Sequence, residues 1–171
     1  MQPEEANGMI IVRAAHREKV TDKTLPLAAQ LLFKLHRPVV LDLSNCQMLE
    51  NVDGLRELTS LTELNLNHCQ VLQNVDGLKK LKALTTLDLN HCQVLQKVDA
   101  LKELKALTTL DLSFCPAAQD VDAVVISLPN LQVLTLVQVP IRDRERILGM
   151  KGRLKSLETD FDDSAAASPH D

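Results

Sequence analysis

Aromatic residues and long apolar runs are scarce in this chain of 171 residues, which has no Trp, no Tyr and only three Phe. Nucleic-acid bases commonly stack on aromatic rings, and a net charge of −4 repels a polyanion. No apolar run approaches the roughly 20 residues of a membrane-spanning helix, and the stretch from Met1 to Glu5 is acidic, unlike a signal peptide. We therefore expect a cytoplasmic chain with no nucleic-acid partner and no membrane span.

Sequence motifs that carry catalysis are missing as well. The chain has no glycine-rich phosphate loop, no nucleophile elbow and no paired Cys/His constellation. The sequence therefore predicts neither an enzyme nor a cofactor.

What the chain does contain is a repeated pattern, LxxLxLxxC. Two copies begin at Leu61 and Leu84, and the eight residues 66–73 are identical to residues 89–96. The pattern also starts at Pro38, Leu107 and Leu131, so that equivalent points are separated by 23, 23, 23 and 24 residues. A fixed period of this length is typical of stacked repeats.

The pattern closely resembles the leucine-rich repeat consensus, whose last position is Asn or Cys. The resemblance covers residues 38–139, and a fainter copy begins at Leu154. It implies an α/β fold, a right-handed solenoid with a parallel concave sheet, short convex helices or 3-10 turns, and a cap at each end. The cysteine-bearing unit is similar to repeats of kinetoplastid protozoa. Bacterial internalin repeats have a similar length but carry Asn at the cysteine position, which weakens that resemblance.

Four cysteines occupy the same position of successive repeats, 23 residues apart, at Cys46, Cys69, Cys92 and Cys115. Neighbouring strands lie about 4.8 Å apart, so the outer two would be about 14 Å apart. Sulfurs that share one zinc lie within about 4 Å of each other, which excludes one site for all four. The Cα spacing alone permits a disulfide between neighbours. We expect buried thiols instead, because apolar Val139 takes the fifth position.

The second half of each repeat predicts a short outer segment with leucines three residues apart, as a turn of helix requires. An aspartate stands before each segment, and we expect it to cap the helix rather than to bind calcium. One extra residue within 123–127 predicts a longer helix in the repeat that begins at Leu107. Basic residues on this outer face either solvate it or form a patch for an acidic partner. They are Arg56, Lys79, Lys80, Lys82, Lys102 and Lys105.

The chain divides into five predicted segments. A stacked core exposes apolar surface at both ends, so the flanking segments are expected to be caps. The five segments are a disordered N-terminus at 1–8, an N-terminal cap at 9–37, the repeats at 38–139, a C-terminal cap with a degenerate repeat at 140–163, and a disordered tail at 164–171. In the first cap we predict a strand at 9–12 and a helix that begins after Thr24. The apolar stripe predicted for this helix is Leu27, Leu31, Leu32 and Leu35.

Residues between the inward leucines of each strand are expected to face the concave side of the sheet. Exposed aromatics often anchor interfaces, so Phe114 is the foremost single candidate, and its alternative is local packing over the next turn. A metal held by the duplicated histidines is the less favoured alternative to simple solvation, and we predict no metal site. The predicted partner-binding residues are Asp42, Glu63, Asn65, His68, Thr86, Asp88, His91, Thr109, Asp111, Phe114, Val133 and Thr135.

Together these features favour a non-catalytic adaptor that binds a protein partner through its concave face. One alternative is a structural subunit of a large multiprotein assembly, held through the convex face, caps or tails. Another is a regulatory subunit of an enzyme. The sequence leaves the identity of the partner and the oligomeric state open.

Overall fold

The computed structural model describes residues 2–6 and 8–161, and it is built on one sheet of eight strands in chain order. Strands β2 to β8 are parallel, and β1 pairs antiparallel with β2. The strands are β1 Gln2–Ala6, β2 Met9–Arg13, β3 Val39–Asp42, β4 Leu61–Asn65, β5 Thr86–Asp88, β6 Thr109–Asp111, β7 Val133–Leu136 and β8 Ser156–Thr159. Each repeat supplies one strand and returns on the other side, which produces the expected parallel-sheet solenoid.

The helical segments between the strands are short. Three are α-helices, α1 Leu25–Phe33, α2 Val121–Ile126 and α3 Arg144–Leu148. The others are 3-10 helices at Arg17–Lys19, Asp53–Leu55, Asp76–Leu78, Asp99–Glu103 and Gly149–Gly152. The 3-10 form suits leucines three residues apart, because one turn of three residues returns them to the same side. The longer α2 confirms the prediction for the repeat that begins at Leu107.

Leucine columns fill the core between the sheet and the convex segments. Leu64, Leu87, Leu110 and Leu134 are paired across adjacent strands and are at most 2% exposed. Burying one such side chain contributes about 1.5–3 kcal/mol relative to leaving it in water. Because each repeat buries its leucines against the next repeat, the core depends on stacking rather than on a single central layer.

All four cysteines are free and buried, as the sequence predicted. Three of the thiols donate a hydrogen bond to a main-chain oxygen of the preceding repeat. Cys69 Sγ lies 3.3 Å from Leu43 O, Cys92 Sγ 3.3 Å from Leu66 O, and Cys115 Sγ 3.1 Å from Leu89 O. Burial raises the pKa of Cys46 to about 11 and those of Cys69 and Cys115 to about 12. The position is therefore a structural donor that holds one repeat to its neighbour.

The N-terminal segment differs from the disorder expected for residues 1–8. Gln2–Ala6 form β1, and Ala6 pairs with Met9, so two residues connect β1 to β2. Gly8, directly before β2, has φ +80°, a backbone conformation that glycine adopts without strain. The hairpin covers the edge that β2 would otherwise present. The tail predicted at 164–171 lies outside the described residues.

Helix α1 shows that the predicted apolar stripe was wrong. Its buried residues are Leu25, Ala29 and Leu32, whereas Leu27 and Leu31 are 65% and 67% exposed; Leu35, beyond its end, is 47% exposed. The helix packs its other face on the 3-10 helix of the first repeat, where Gly54 approaches Pro26 so closely that a Cβ would lie 2.8 Å from the proline ring. This contact fixes the rotation of α1.

The aspartates at the convex turns do not cap them, so the prediction that they act as helix caps was wrong. Asp53, Asp76 and Asp99 are the first helical residues, and no side-chain cap bond forms at the N-caps. In the first two repeats an asparagine two residues earlier accepts from the aspartate N–H. The carboxylates pair instead with a cation three residues later, at 3.1, 3.8 and 2.7 Å.

Candidate binding face

The sheet surface opposite the convex helices, here called the concave face, consists of two columns of side chains in register across the strands. Its residues are half-buried apart from exposed Arg13, Ser156 and Glu158. The first column is Ile11, Val40, Glu63, Thr86, Thr109, Val133 and Ser156. The second column is Arg13, Asp42, Asn65, Asp88, Asp111, Thr135 and Glu158. The structure thus brings nine of the predicted residues onto one face, and the other three lie at its rim.

The second column ends the strands as well as facing solvent. The Oδ1 atom of Asp42 accepts a hydrogen bond from the main-chain N–H two residues later, at 2.9 Å. Asn65 and Asp88 do the same at 2.9 Å, and Asp111 at 2.7 Å. Such turns need only a side-chain oxygen, so the neutral amide of Asn65 serves as well as a carboxylate. The negative charges in this column are therefore not required by the turn.

Each repeat places one left-handed residue at the rim, and three of these carry rings. His68, His91 and Phe114 have φ of 58°, 59° and 58°. The rings of His68 and His91 stack with centroids 4.4 Å apart, and those of His91 and Phe114 stack 4.3 Å apart and nearly parallel. We call this set the ring ladder. Phe114 does pack locally, but on the preceding repeat rather than over the next turn.

Charge is distributed unequally between the two faces. On the convex side, cations pair with carboxylates, including Lys80 with Glu57 at 3.1 Å and Lys82 with Glu103 at 3.2 Å. On the concave face Asp42 pairs with Arg17 at 3.6 Å. Within residues 2–6 and 8–161, no Lys or Arg forms an ion pair with Glu63, Asp88 or Asp111. The convex cations are therefore largely neutralised, whereas the centre of the concave face is acidic.

The carboxyl group of Asp88 is half-buried on this surface. Burial against the sheet raises its pKa, the hydrogen bond from Asn90 N opposes the shift, and the charge of Asp111 on the adjacent strand adds to it. Asn90 Nδ2 also donates to Asp111 Oδ2 at 3.3 Å. The two carboxylates thus stand side by side, and Asn90 donates a hydrogen bond to each.

A shallow depression of about 340 Å3 lies in the concave face between β2 and β5. Its polar walls include Arg13 and Asp42 at one end and Glu63, Asn65 and Asp88 toward the other. Arg13, which lines this depression, and Arg17, which pairs with Asp42, were not predicted as part of the site. Continuing the columns one strand beyond the first repeat would have brought in Arg13, since β2 was itself predicted.

Two further kinds of feature are missing from the part of the chain that the structure describes. It holds no group of three or more His, Cys, Asp or Glu side chains arranged to hold a metal ion. None of its helices combines the length and apolarity that crossing a bilayer demands.

Comparison with known proteins agrees with this architecture. Residues 59–103 match the family model described as Leucine Rich repeats (2 copies). The match covers two of the repeats, so the chain is similar to leucine-rich repeat proteins in the pattern of these repeats and in its fold. No curated protein sequence matches the chain significantly.

Solved structures share the fold at low sequence identity. Internalin C2 of Listeria monocytogenes matches with a TM-score of 0.65 and 22% identity over 89% of this chain and 61% of its own. The TLR13–ssRNA13 complex matches with a TM-score of 0.57 and 24% identity over 79% of this chain and 20% of its own. The Rad7–Elc1 complex of yeast matches with a TM-score of 0.54 and 20% identity over 83% of this chain and 39% of its own. This chain therefore spans between a fifth and about three fifths of these neighbours, and the cysteine position does not separate its fold from that of an internalin.

Proposed function

We propose that the chain is a non-catalytic adaptor that binds a protein partner through the concave face. The observation that carries the proposal is the contrast between the faces. The convex cations are paired with carboxylates, whereas the concave face presents uncompensated carboxylates, amides, threonines and a ring ladder. Surfaces with unmatched polar groups are complementary to a partner that supplies the missing charges and donors.

Rigidity is the physical basis of the proposed binding. The columns stand on parallel strands and their turns are closed by main-chain hydrogen bonds, so few side chains need to be ordered when a partner binds. A preformed surface loses less conformational entropy on association, which leaves more of the contact energy as affinity.

Two further features support a protein partner in a cytoplasmic setting. Four free thiols suit a reducing compartment, where disulfides are rare. The fold also occurs in the solved Rad7–Elc1 complex, a complex of proteins. Another neighbour was solved with RNA, but the net charge of −4 and the scarcity of aromatics here favour a protein.

A site-specific photo-crosslink tests which face binds. Because the native thiols are buried, a cysteine introduced at the surface reacts selectively with a benzophenone maleimide. Thr109→Cys places the label on the concave face, and Lys79→Cys places it on the convex face. Each labelled protein is mixed with native extract, irradiated, and its crosslinked products are identified by mass spectrometry.

We expect one defined protein to crosslink to the Thr109→Cys label and not to the Lys79→Cys label. Unlabelled wild-type chain should compete that product away. A partner that crosslinks only from the convex label would refute concave binding.

A second candidate function is a structural subunit that docks through its N-terminal cap. The observation in its favour is the exposed stripe of Leu27, Leu31 and Leu35, beside a groove of about 650 Å3 between α1 and the first convex turn. An apolar surface of a neighbouring subunit would cover such a stripe. In that case Leu27→Glu/Leu31→Glu would abolish assembly, while substitutions on the concave face would leave it intact.

A further inference from the structure

Three carboxylates on the concave face carry charges that the fold does not use: Glu63, Asp88 and Asp111. The turn at the end of β4 is closed by neutral Asn65, which shows that an amide can replace Asp88 in this role. The position of Glu63 is held by Val, Thr, Thr and Val in the other repeats. Neither charge is thus required by strand pairing or by the turn.

These charges also oppose each other. Asp88 and Asp111 are directly paired across β5 and β6, and like charges in that arrangement destabilise a sheet. Groups that cost stability and serve no structural role are expected at functional surfaces, where a ligand provides the compensating interaction. A cation compensates a carboxylate, and of these two residues Asp88 lines the depression, together with Glu63.

The geometry of the depression suits a guanidinium rather than a point charge. Glu63 and Asp88 lie diagonally on adjacent strands, two residues apart in register. A strand spacing of about 4.8 Å and a rise of about 3.3 Å per residue place their Cα atoms about 8 Å apart. A guanidinium presents five N–H donors along its edges, so it can donate to two carboxylates at this separation.

We infer that this depression receives an arginine side chain from a basic segment of the partner protein, with the guanidinium held between Glu63 and Asp88. This inference rests on the proposed function, because it specifies the chemistry of the partner at the same face. Asp111 and the ring ladder extend the surface beyond the depression, where neighbouring basic residues of the segment would lie. Asp42, already paired with Arg17, takes no part.

The test measures the binding of two fluorescein-labelled peptides, nona-arginine and nona-lysine, by fluorescence polarisation at an ionic strength of about 0.15 M, where long-range attraction is screened. Three proteins are compared: wild type, Glu63→Gln/Asp88→Asn, and Asp53→Asn/Asp76→Asn. The third variant removes the same two charges from the convex face and controls for net charge. Urea unfolding shows that all three are folded.

We expect the concave variant to bind nona-arginine at least tenfold more weakly than wild type, because it replaces two charged acceptors of the guanidinium by neutral amides. The convex variant should change the dissociation constant by less than about twofold, since exposed pairs contribute little. Wild type should bind nona-arginine several-fold more tightly than nona-lysine. Equal losses in the two variants, equal affinity for the two peptides, or no binding by wild type would overturn the inference.

The proposed function and this inference fail separately. If the protein crosslinked from Thr109→Cys still binds Glu63→Gln/Asp88→Asn with wild-type affinity, concave binding stands and the arginine site is wrong. If nothing crosslinks from the concave face, the proposed function itself is refuted.

Discussion

Replacing Asp88 by Asn is expected to stabilise the fold near neutral pH, although it alters a hydrogen-bonded residue. The amide keeps an oxygen to accept from Asn90 N, as Asn65 does one strand earlier. What the substitution removes is a charge that burial and Asp111 disfavour. The like-charge contribution alone is about 0.2–1 kcal/mol for directly opposed residues. In a chain of this length 1 kcal/mol corresponds to about 2–4 °C in Tm.

The pH dependence follows from the direction of the pKa shift. Because the pKa of Asp88 is higher in the folded than in the unfolded chain, the folded state binds the proton more tightly, and wild type loses stability as pH rises through this range. The advantage of Asp88→Asn should therefore be complete above the folded-state pKa. It should disappear below the unfolded value, 3.8.

The assay is urea unfolding followed by circular dichroism for wild type and variant across this pH range. Asp42→Asn is the matched control in the same column, because Asp42 pairs with Arg17. That variant should be neutral or lose up to about 1 kcal/mol. The reasoning would be refuted if Asp88→Asn were less stable than wild type near neutral pH, or if its advantage did not depend on pH.

Three other predictions concern the core and the cap. The four thiols should react with Ellman's reagent only as fast as the chain unfolds, because burial raises their pKa values and shields them; rapid labelling of the folded protein would contradict this. Gly77→Ala should lower the free energy of unfolding by about 1–3 kcal/mol, because a Cβ at this position overlaps the Val52 carbonyl. Gly152→Ala is the control and should not lower it, because a Cβ there meets open space. Equal effects of the two substitutions in thermal melts would refute the packing argument. Leu32→Ala should cost about 2–5 kcal/mol and Leu31→Ala less than about 0.5 kcal/mol in urea unfolding, since the two side chains are 8% and 67% exposed. A similarly large cost for both variants would restore the stripe predicted from sequence.

The repeats could be predicted from sequence because one spacing specifies both their strands and their core. Leu61, Leu64 and Leu66 must all be buried for the pattern to make sense, and they are. The burial of the cysteines could be predicted from Val139, because an apolar residue at the equivalent position of the last repeat indicates packing. The same alternation placed the nine candidate residues of the two columns on one face.

The errors arose where tertiary contacts overrode a local pattern. In α1, leucines occur on two faces, and only the contact between Pro26 and Gly54 decides which face is buried. The convex aspartates match the capping preference, but Asn51 and Asn74 already accept the N–H bonds. At the rim, the regular spacing of His68, His91 and Phe114 could be read from the sequence. The stacking of their rings also depends on a positive φ at each residue, which the sequence does not predict.

The cysteine donor of each repeat has a consequence for how such a chain can change in length. Three of the four thiols bond to a carbonyl one unit earlier, and main-chain N–H groups of the turns bond to the next unit. A unit gained or lost by recombination between identical segments, such as residues 66–73 and 89–96, would therefore bring its own donor, acceptor and leucines. Duplication would widen the concave face by one strand spacing, about 4.8 Å, and add one ring to the ladder. Gene rearrangement could thus adjust the reach of the surface before any point mutation refined its specificity.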